Sequence, residues 1–125
     1  MSKTDEKMLT KEEILGAKDL ETRKAEAWGG IVILRAWTGK DRDRFETTVQ
    51  RQSTGSGANM KLDTTGIRSL ALSMSIVDAS GNLMFTKEDM ASLNAKSSKT
   101  INDLFNVVQE MNGLGDDEVE ELRKN

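Results

Sequence analysis

The chain has 125 residues, of which 36% are apolar and 31% charged, and its formal net charge is −3. It contains no cysteine and no histidine, so disulfides and thiolate metal sites are excluded and the usual base of a serine or cysteine nucleophile is missing. Basic and acidic residues are intermixed, and no apolar run approaches the ~20 residues that span a bilayer. We therefore expect no nucleic-acid and no membrane partner.

The start of the chain predicts a short helix over about 10–18. Thr10 and Glu13 have the spacing of a capping box, in which each side chain accepts a hydrogen bond from the other residue's backbone N–H. Leu9 and Ile14 occupy the positions of a hydrophobic staple around that cap. No apolar signal segment is present here, so we expect a protein of the cytoplasm.

A β-hairpin is predicted next. The runs 22–28 and 31–37 favour strands, and the glycine pair 29–30 between them suits a two-residue turn that needs positive φ. A lone hairpin is marginal in water, so this one must pack on helices or join a larger sheet. We expect Trp28 and Trp37 to stack across the hairpin, and a tryptophan in a partner interface is the alternative.

A charged helix is predicted over about 39–52. Its apolar face is thin, consisting of Phe45 and Val49. The alternating signs of charge over 40–44 favour a salt-bridged helix face over a phosphate site. The following stretch, 53–59, is rich in glycine and serine and is predicted to be a flexible loop.

Two strong helices, over 62–77 and 98–112, are predicted to form the core. The first carries apolar residues at the 3.6-residue period of a helix. The second begins at Ser97 or Ser98, has a clean apolar stripe and ends at Asn112 and Gly113. The stripes are Ile67, Leu70, Ala71, Met74 and Val77 in the first helix and Ile101, Leu104, Phe105, Val108 and Met111 in the second.

The segment between these helices has two interpretations. Its oxygen-bearing side chains resemble a calcium loop, with Asp78, Ser80, Asn82 and Asp89 at ligand positions. The sharp turn of such a loop needs glycine where this chain has Leu83, so a β-turn over 78–82 is the preferred interpretation. Thr86 and Asp89 then cap a short helix over about 87–93.

These elements predict a mostly α (α+β) fold: a compact helical domain with one N-terminal β-hairpin, formed as a single domain over 1–125. We expect flexible ends at about 1–8 and 115–125.

Adjacent carboxylates on exposed helix turns do not hold a general acid and a general base together in a cleft. We therefore predict that the chain is not an enzyme and that it binds no metal and no cofactor. The carboxylate clusters are 12–13, 41–43 and 116–121.

The order and spacing of several segments resemble one family. They are WGG at 28–30, TGKDRDRFE at 38–46, RSLALSMSIVD at 68–78, GNLMFTKED at 81–89, LFN at 104–106 and MNGL at 111–114. Over about 10–124 the chain resembles the tail assembly chaperones of siphophages and related prophages.

The resemblance implies a role in building the viral tail inside the bacterial host cytoplasm. Chaperones of this family coat the long, apolar, helical tape measure protein, keep it soluble and help to recruit tail tube subunits. They are absent from the mature virion. Many exist as a short form and a frameshifted longer form, and these 125 residues resemble the short form. A second copy of the chain, in a homo-oligomer, is a further expected partner.

Four apolar residues are candidates for contact with the partner because the main core stripes do not need them. They are Val107, Leu114, Val119 and Leu122. The alternative for each is ordinary packing of the C-terminal tail onto the domain. Two other functions stay open at this point: a structural or connector protein retained in the virion, and a calcium-binding regulatory module.

Overall fold

The computed structural model describes residues 6–54, 61–62 and 66–114. They form an α+β fold of five helices and a small antiparallel sheet with strand order β1-β2-β5. The helices are α1 (Lys11–Gly16), α2 (Gly39–Arg51), α3 (Ile67–Ser73), α4 (Met90–Asn94) and α5 (Ser98–Met111), with a 3-10 turn at Lys87–Asp89. The strands are β1 (Thr22–Ala27), β2 (Gly30–Arg35), β3 (Ser53–Thr54), β4 (Lys61–Leu62) and β5 (Ile76–Val77).

The hairpin turn lies one residue earlier than the sequence predicts. Ala27 pairs with Gly30, so the two turn residues are Trp28 and Gly29, and Gly30 belongs to β2. Both turn residues have positive φ, 53° at Trp28 and 80° at Gly29, as a primed turn requires. A non-glycine residue in this region carries a conformational cost. The predicted turn at 29–30 is therefore wrong, and the pairing of β1 with β2 sets its true place.

The position of the turn can be tested with a matched pair of glycine variants. Gly29→Ala should lower the free energy of unfolding by about 1–2 kcal/mol, because alanine is strained at positive φ. Gly30→Ala should be near neutral, since Gly30 has no positive φ and a Cβ there meets nothing within 4 Å. Urea unfolding of both variants measures the difference. Equal costs at the two positions would contradict the observed turn.

The helix predicted over 62–77 is shorter, and its last part is a strand. Helix α3 starts at Ile67 after Gly66, which has a φ of 75°, and ends at Ser73. Ile76 and Val77 form β5, which pairs antiparallel with β2 through Leu34 and Ile33. The predicted single hairpin is thus extended to a three-stranded sheet. This third strand provides the additional pairing that an isolated hairpin lacks in water.

Trp37 is a core residue, whereas Trp28 is 47% exposed, so the predicted stacking of the two tryptophans is wrong. The Trp37 ring lies 4.8 Å from the Phe45 ring, centroid to centroid. Its Nε1 donates a hydrogen bond of 2.7 Å to Ser75 Oγ, which in turn donates to the carbonyl oxygen of Ala71. Trp37 therefore connects β2, α2 and the α3–β5 junction, as predicted for a core residue but with different neighbours.

The end of α5 is fixed by a Schellman motif. Leu114 N–H donates to Gln109 O at 2.8 Å and Gly113 N–H donates to Glu110 O at 3.3 Å, with Gly113 at a φ of 67°. Asn112 adds a long-range link, because its Oδ1 accepts a hydrogen bond of 2.7 Å from the backbone N–H of Trp37. The predicted helix end at 112–113 is confirmed, and it also joins α5 to the end of β2.

The α+β class is confirmed, and the core draws on β2, α2, α3, β5 and α5. The stretches predicted to be flexible, 1–8, 53–59 and 115–125, lie largely outside the described residues. The exceptions include Ser53–Thr54, whose backbone forms β3 paired with β4. In the part of the chain that the structure describes, no helix combines the length and apolar character needed to cross a membrane.

Candidate protein-binding surface

A broad groove runs between one face of α2 and the segment 83–94, and we name it the α2 groove. Its volume is about 820 Å³. Helix α3 contributes Leu70 and Ser73 to the lining. Helix α2 contributes Lys40, Asp43, Arg44, Thr47, Thr48 and Arg51, and the segment 83–94 contributes Leu83, Phe85, Thr86, Lys87, Met90 and Asn94. The groove thus combines a polar rim with an apolar strip, which consists of Leu70, Leu83, Phe85 and Met90.

The rim of the α2 groove is mainly basic. Four cationic side chains, Lys40, Arg44, Arg51 and Lys87, face one carboxylate, Asp43. The formal charge of the lining is therefore +3, in a chain whose net charge is −3. Such a rim favours a partner that carries acidic side chains beside an apolar stripe, since complementary potentials increase both the encounter rate and the specificity of binding.

The α2 wall is held in place at its N-terminus. Thr38 caps the helix, and Asp41 completes the capping box by accepting a hydrogen bond of 3.1 Å from the Thr38 backbone N–H. The same carboxylate oxygen of Asp41 accepts a hydrogen bond of 2.8 Å from Arg35 Nη2, and both side chains are about one-fifth exposed. This ion pair joins β2 to α2 and fixes the direction in which the basic face points.

The opposite wall is positioned by the turn at 78–82. Asp78 Oδ1 accepts hydrogen bonds from the backbone N–H groups of Ser80 (2.8 Å) and Asn82 (3.0 Å), and Gly81 has a φ of 88°. These bonds are those of an Asx turn, so the geometry agrees with the turn interpretation of this segment. Leu83 then forms an isolated bridge with Val77, which brings 83–90 alongside the sheet.

The short helix after this wall begins as the sequence predicts. Asp89 Oδ2 accepts a hydrogen bond of 2.8 Å from the Thr86 backbone N–H. Its first turn is a 3-10 turn, Lys87–Asp89, and α4 continues to Asn94. Phe85 and Met90, on either side of this first turn, are both half-buried and both line the α2 groove. The two ends of this turn therefore supply part of the apolar strip.

Two of the four predicted contact residues, Val107 and Leu114, lie in the described part of the chain, and both pack with the core. Leu114 is only 6% exposed and belongs to the core cluster, where the Schellman motif places a hydrophobic residue against the last turns of its helix. Val107 is half-buried and packs against the same core. Packing thus accounts for Leu114 without a partner. Val119 and Leu122 lie outside the described residues.

A second apolar surface lies in the N-terminal segment. No residue of α1 is buried, although its capping box forms as predicted, with Thr10 N–H donating to Glu13 Oε1 at 3.0 Å. The Lys7 ammonium, followed by the Thr10 backbone N–H, holds the pKa of Glu13 below its ordinary value. A six-residue helix is not stable alone in water. The exposed apolar residues here are Met8, Leu9, Ile14, Leu15 and Leu20.

The α2 groove was missed from the sequence because its walls are far apart in the chain. The residues 40–51, 70 and 83–90 are separated in the sequence and come together only in the tertiary structure. In the described ranges, no group of three or more histidine, cysteine, aspartate or glutamate side chains is placed to hold a metal ion. The lining of the α2 groove thus has Asp43 as its carboxylate, beside four cationic side chains and an apolar strip.

Comparison of the chain with protein families, with curated proteins and with solved structures finds no match. The assignment of a function therefore depends on the surfaces described above and on the resemblance of the sequence segments.

Proposed function

We propose that the chain is a non-catalytic chaperone of phage tail assembly, which binds the tape measure protein in the host cytoplasm and keeps it soluble. It also helps to recruit tail tube subunits and is absent from the mature virion. It acts beside a frameshifted longer form of the same protein. Two observations support this proposal. The sequence segments resemble the family, and the fold has two separate apolar surfaces.

The α2 groove is the observation that carries the proposal. A long helical partner with an apolar stripe aggregates unless that stripe is covered. A groove with an apolar strip and polar edges covers one face of such a helix, and this mode of recognition reads residues spaced three and four apart. The basic rim adds a preference for a stripe that is bordered by acidic residues.

Coating a long partner does not require tight binding at each contact. Many copies that each bind one segment weakly cover the partner, and linked contacts raise the overall affinity. Weak single contacts also permit release when tube subunits replace the chaperone. The N-terminal segment exposes a separate set of apolar residues, such as Ile14 and Leu15.

Co-expression tests the proposal directly. The tape measure protein is expressed alone and together with this chain, and its soluble fraction is measured after centrifugation. We expect the soluble fraction to rise several-fold in the presence of the chain, because the apolar stripe is covered as it is synthesised. An unrelated soluble protein of similar size, expressed at the same level, controls for dilution. An unchanged soluble fraction would contradict the proposal.

Mass spectrometry of purified virions separates this function from that of a structural or connector protein. The tape measure and tail tube proteins provide internal standards for the quantity of each tail component. We expect this chain to be absent relative to those standards, as an assembly factor that leaves before completion. Its presence at a fixed ratio to the tube protein would instead assign it to the finished particle.

A further inference from the structure

The outer edge of the sheet has no partner strand in the described part of the chain. Strand β1 lies at the end of the order β1-β2-β5 and is hydrogen-bonded to β2 along its inner edge alone. The side chains of Thr22, Lys24 and Glu26 are exposed, and those of the alternate positions are partly covered. An open edge six residues long is a template for another strand.

The hydrogen bonds at the end of the sheet show which backbone groups point to the open edge. Ala36 N–H donates to Glu21 O at 2.8 Å, so position 21 is bonded toward β2. Arg35, opposite Thr22, instead donates its N–H to Ser75 O at 2.8 Å, on the β5 side. Bonded and non-bonded pairs alternate along an antiparallel ladder. The even positions of β1 therefore direct their N–H and C=O groups outward.

We infer that β1 pairs antiparallel with β1 of a second copy of this chain, with Ala25 on the two-fold axis. Two identical strands can exchange hydrogen bonds only when outward-directed residues face each other, which centres the register on one residue. A register centred on Lys24 places two ammonium groups opposite each other, and one centred on Glu26 opposes two carboxylates. Centring on Ala25 places each Lys24 opposite the partner copy's Glu26.

This register satisfies charge and backbone together. Lys24 and Glu26 lie on the same exposed face of β1, so the two opposite-charge pairs form on the outer surface of a continuous six-stranded sheet. Lys24 and Glu26 of each copy also supply the outward N–H and C=O groups, which gives about four backbone hydrogen bonds across the axis. Ala25 has a small side chain on the opposite face, which leaves space where the two strands approach most closely.

The self-complementary pattern identifies the occupant as a second copy. A two-fold axis brings the same surface patch together with itself, so each residue must complement its symmetry mate. Lys24 and Glu26 meet that condition around Ala25. A strand from another protein would not require such symmetry. The inference is independent of the α2 groove and of tape measure binding, since β1 contributes no residue to that groove.

Disulfide trapping tests the register. The chain has no cysteine, so Ala25→Cys provides its sole thiol. A non-hydrogen-bonded antiparallel pair places the two Cα atoms about 4.5 Å apart, within disulfide range. We expect Ala25→Cys to form a disulfide dimer under mild oxidation. Ala27→Cys is the matched control, because it lies opposite position 23 of the partner and about 13 Å along the strand from its own symmetry mate.

The trapping experiment has one supporting outcome. A cross-link at position 25 that is absent at position 27 supports the register. Equal cross-linking at both positions, or no cross-link at position 25, would overturn it. Circular dichroism of the reduced variants confirms that both are folded before oxidation.

Charge reversal tests the same interface without a covalent bond. Sedimentation equilibrium should give twice the 13.8 kDa mass of the chain for the wild type. Lys24→Glu and Glu26→Lys should each weaken the dimer by about tenfold or more, since each opposes like charges twice. The double variant K24E/E26K should restore it, and Lys96→Glu, an exposed charge outside β1, should have no effect. A wild type that stays monomeric, or a double variant that is no better than the single ones, would overturn the inference.

Discussion

Trp37→Ala is expected to lower the free energy of unfolding by about 3–5 kcal/mol, the range for removing a buried tryptophan. Trp37 is 7% exposed and packs on Phe45. Its removal leaves a cavity and also deprives Ser75 Oγ of the hydrogen bond from the indole N–H. Small domains have about 5–15 kcal/mol of stability in total. Urea unfolding followed by circular dichroism should therefore show a large fall in the midpoint.

Trp28→Ala is the matched control for that variant. It removes the same kind of side chain from the hairpin turn, but Trp28 is about half exposed and is not part of the core cluster. We expect a loss of at most about 1 kcal/mol, within the usual range for substitutions away from the core. A loss at position 28 equal to that at position 37 would show that the two tryptophans support each other, as the sequence alone suggested.

Reversal of two charges at the rim of the α2 groove is expected to weaken tape measure binding by about tenfold to a hundredfold. The variant is R44E/K87E, which changes one cation on each wall of the groove. Both side chains are exposed, so the fold should be retained. Each reversal replaces an attraction to an acidic residue of the partner with a repulsion, and the double change adds the two effects.

The matched control for the rim variant is K18E/K96E. It makes the same change in net charge at two exposed lysines that do not line the α2 groove. Binding of a tape measure segment is measured by calorimetry at low and high salt. The wild-type affinity should fall as salt rises, because exposed charge pairs are screened. Equal loss of affinity in the two variants would mean that net charge, and not the groove, determines binding.

The parts of the fold that were predicted correctly are those set by neighbouring residues. Thr10 and Glu13 lie three apart and cap α1. Phe45 and Val49 lie one turn apart in α2 and are both buried. The end of α5 at Asn112 is set mainly by Gly113, the next residue, which has positive φ. Such local signals act over a few residues, so the sequence displays them without knowledge of the tertiary structure.

The errors occur where distant segments compete with a local pattern. Ile76 and Val77 continue the helical stripe of α3, but pairing with β2 makes them a strand. The turn moves from 29–30 to 28–29 because the alignment of β1 with β2 overrides the local preference for two glycines. Ile76 and Val77 are β-branched and therefore favour a strand. The helical periodicity of the apolar residues before them concealed this signal.

The candidate site was the least predictable part for the same reason. The residues proposed from the sequence were apolar positions left over from the core stripes, and Leu114 is instead enclosed by its own helix end. The α2 groove is formed by α2, α3 and the segment 83–94, whose relative positions depend on the third strand of the sheet. No local pattern encodes such an arrangement.

The central claim is that the α2 groove receives an apolar helix of the tape measure protein. Nuclear magnetic resonance of the isotope-labelled chain, titrated with a synthetic tape measure segment, tests it most directly. The largest changes in amide chemical shift should fall on α2 and on 83–90, with small changes around position 107 and beyond. Unchanged signals across α2 and 83–90 at saturating segment, with or without changes near the C-terminus, would contradict the account.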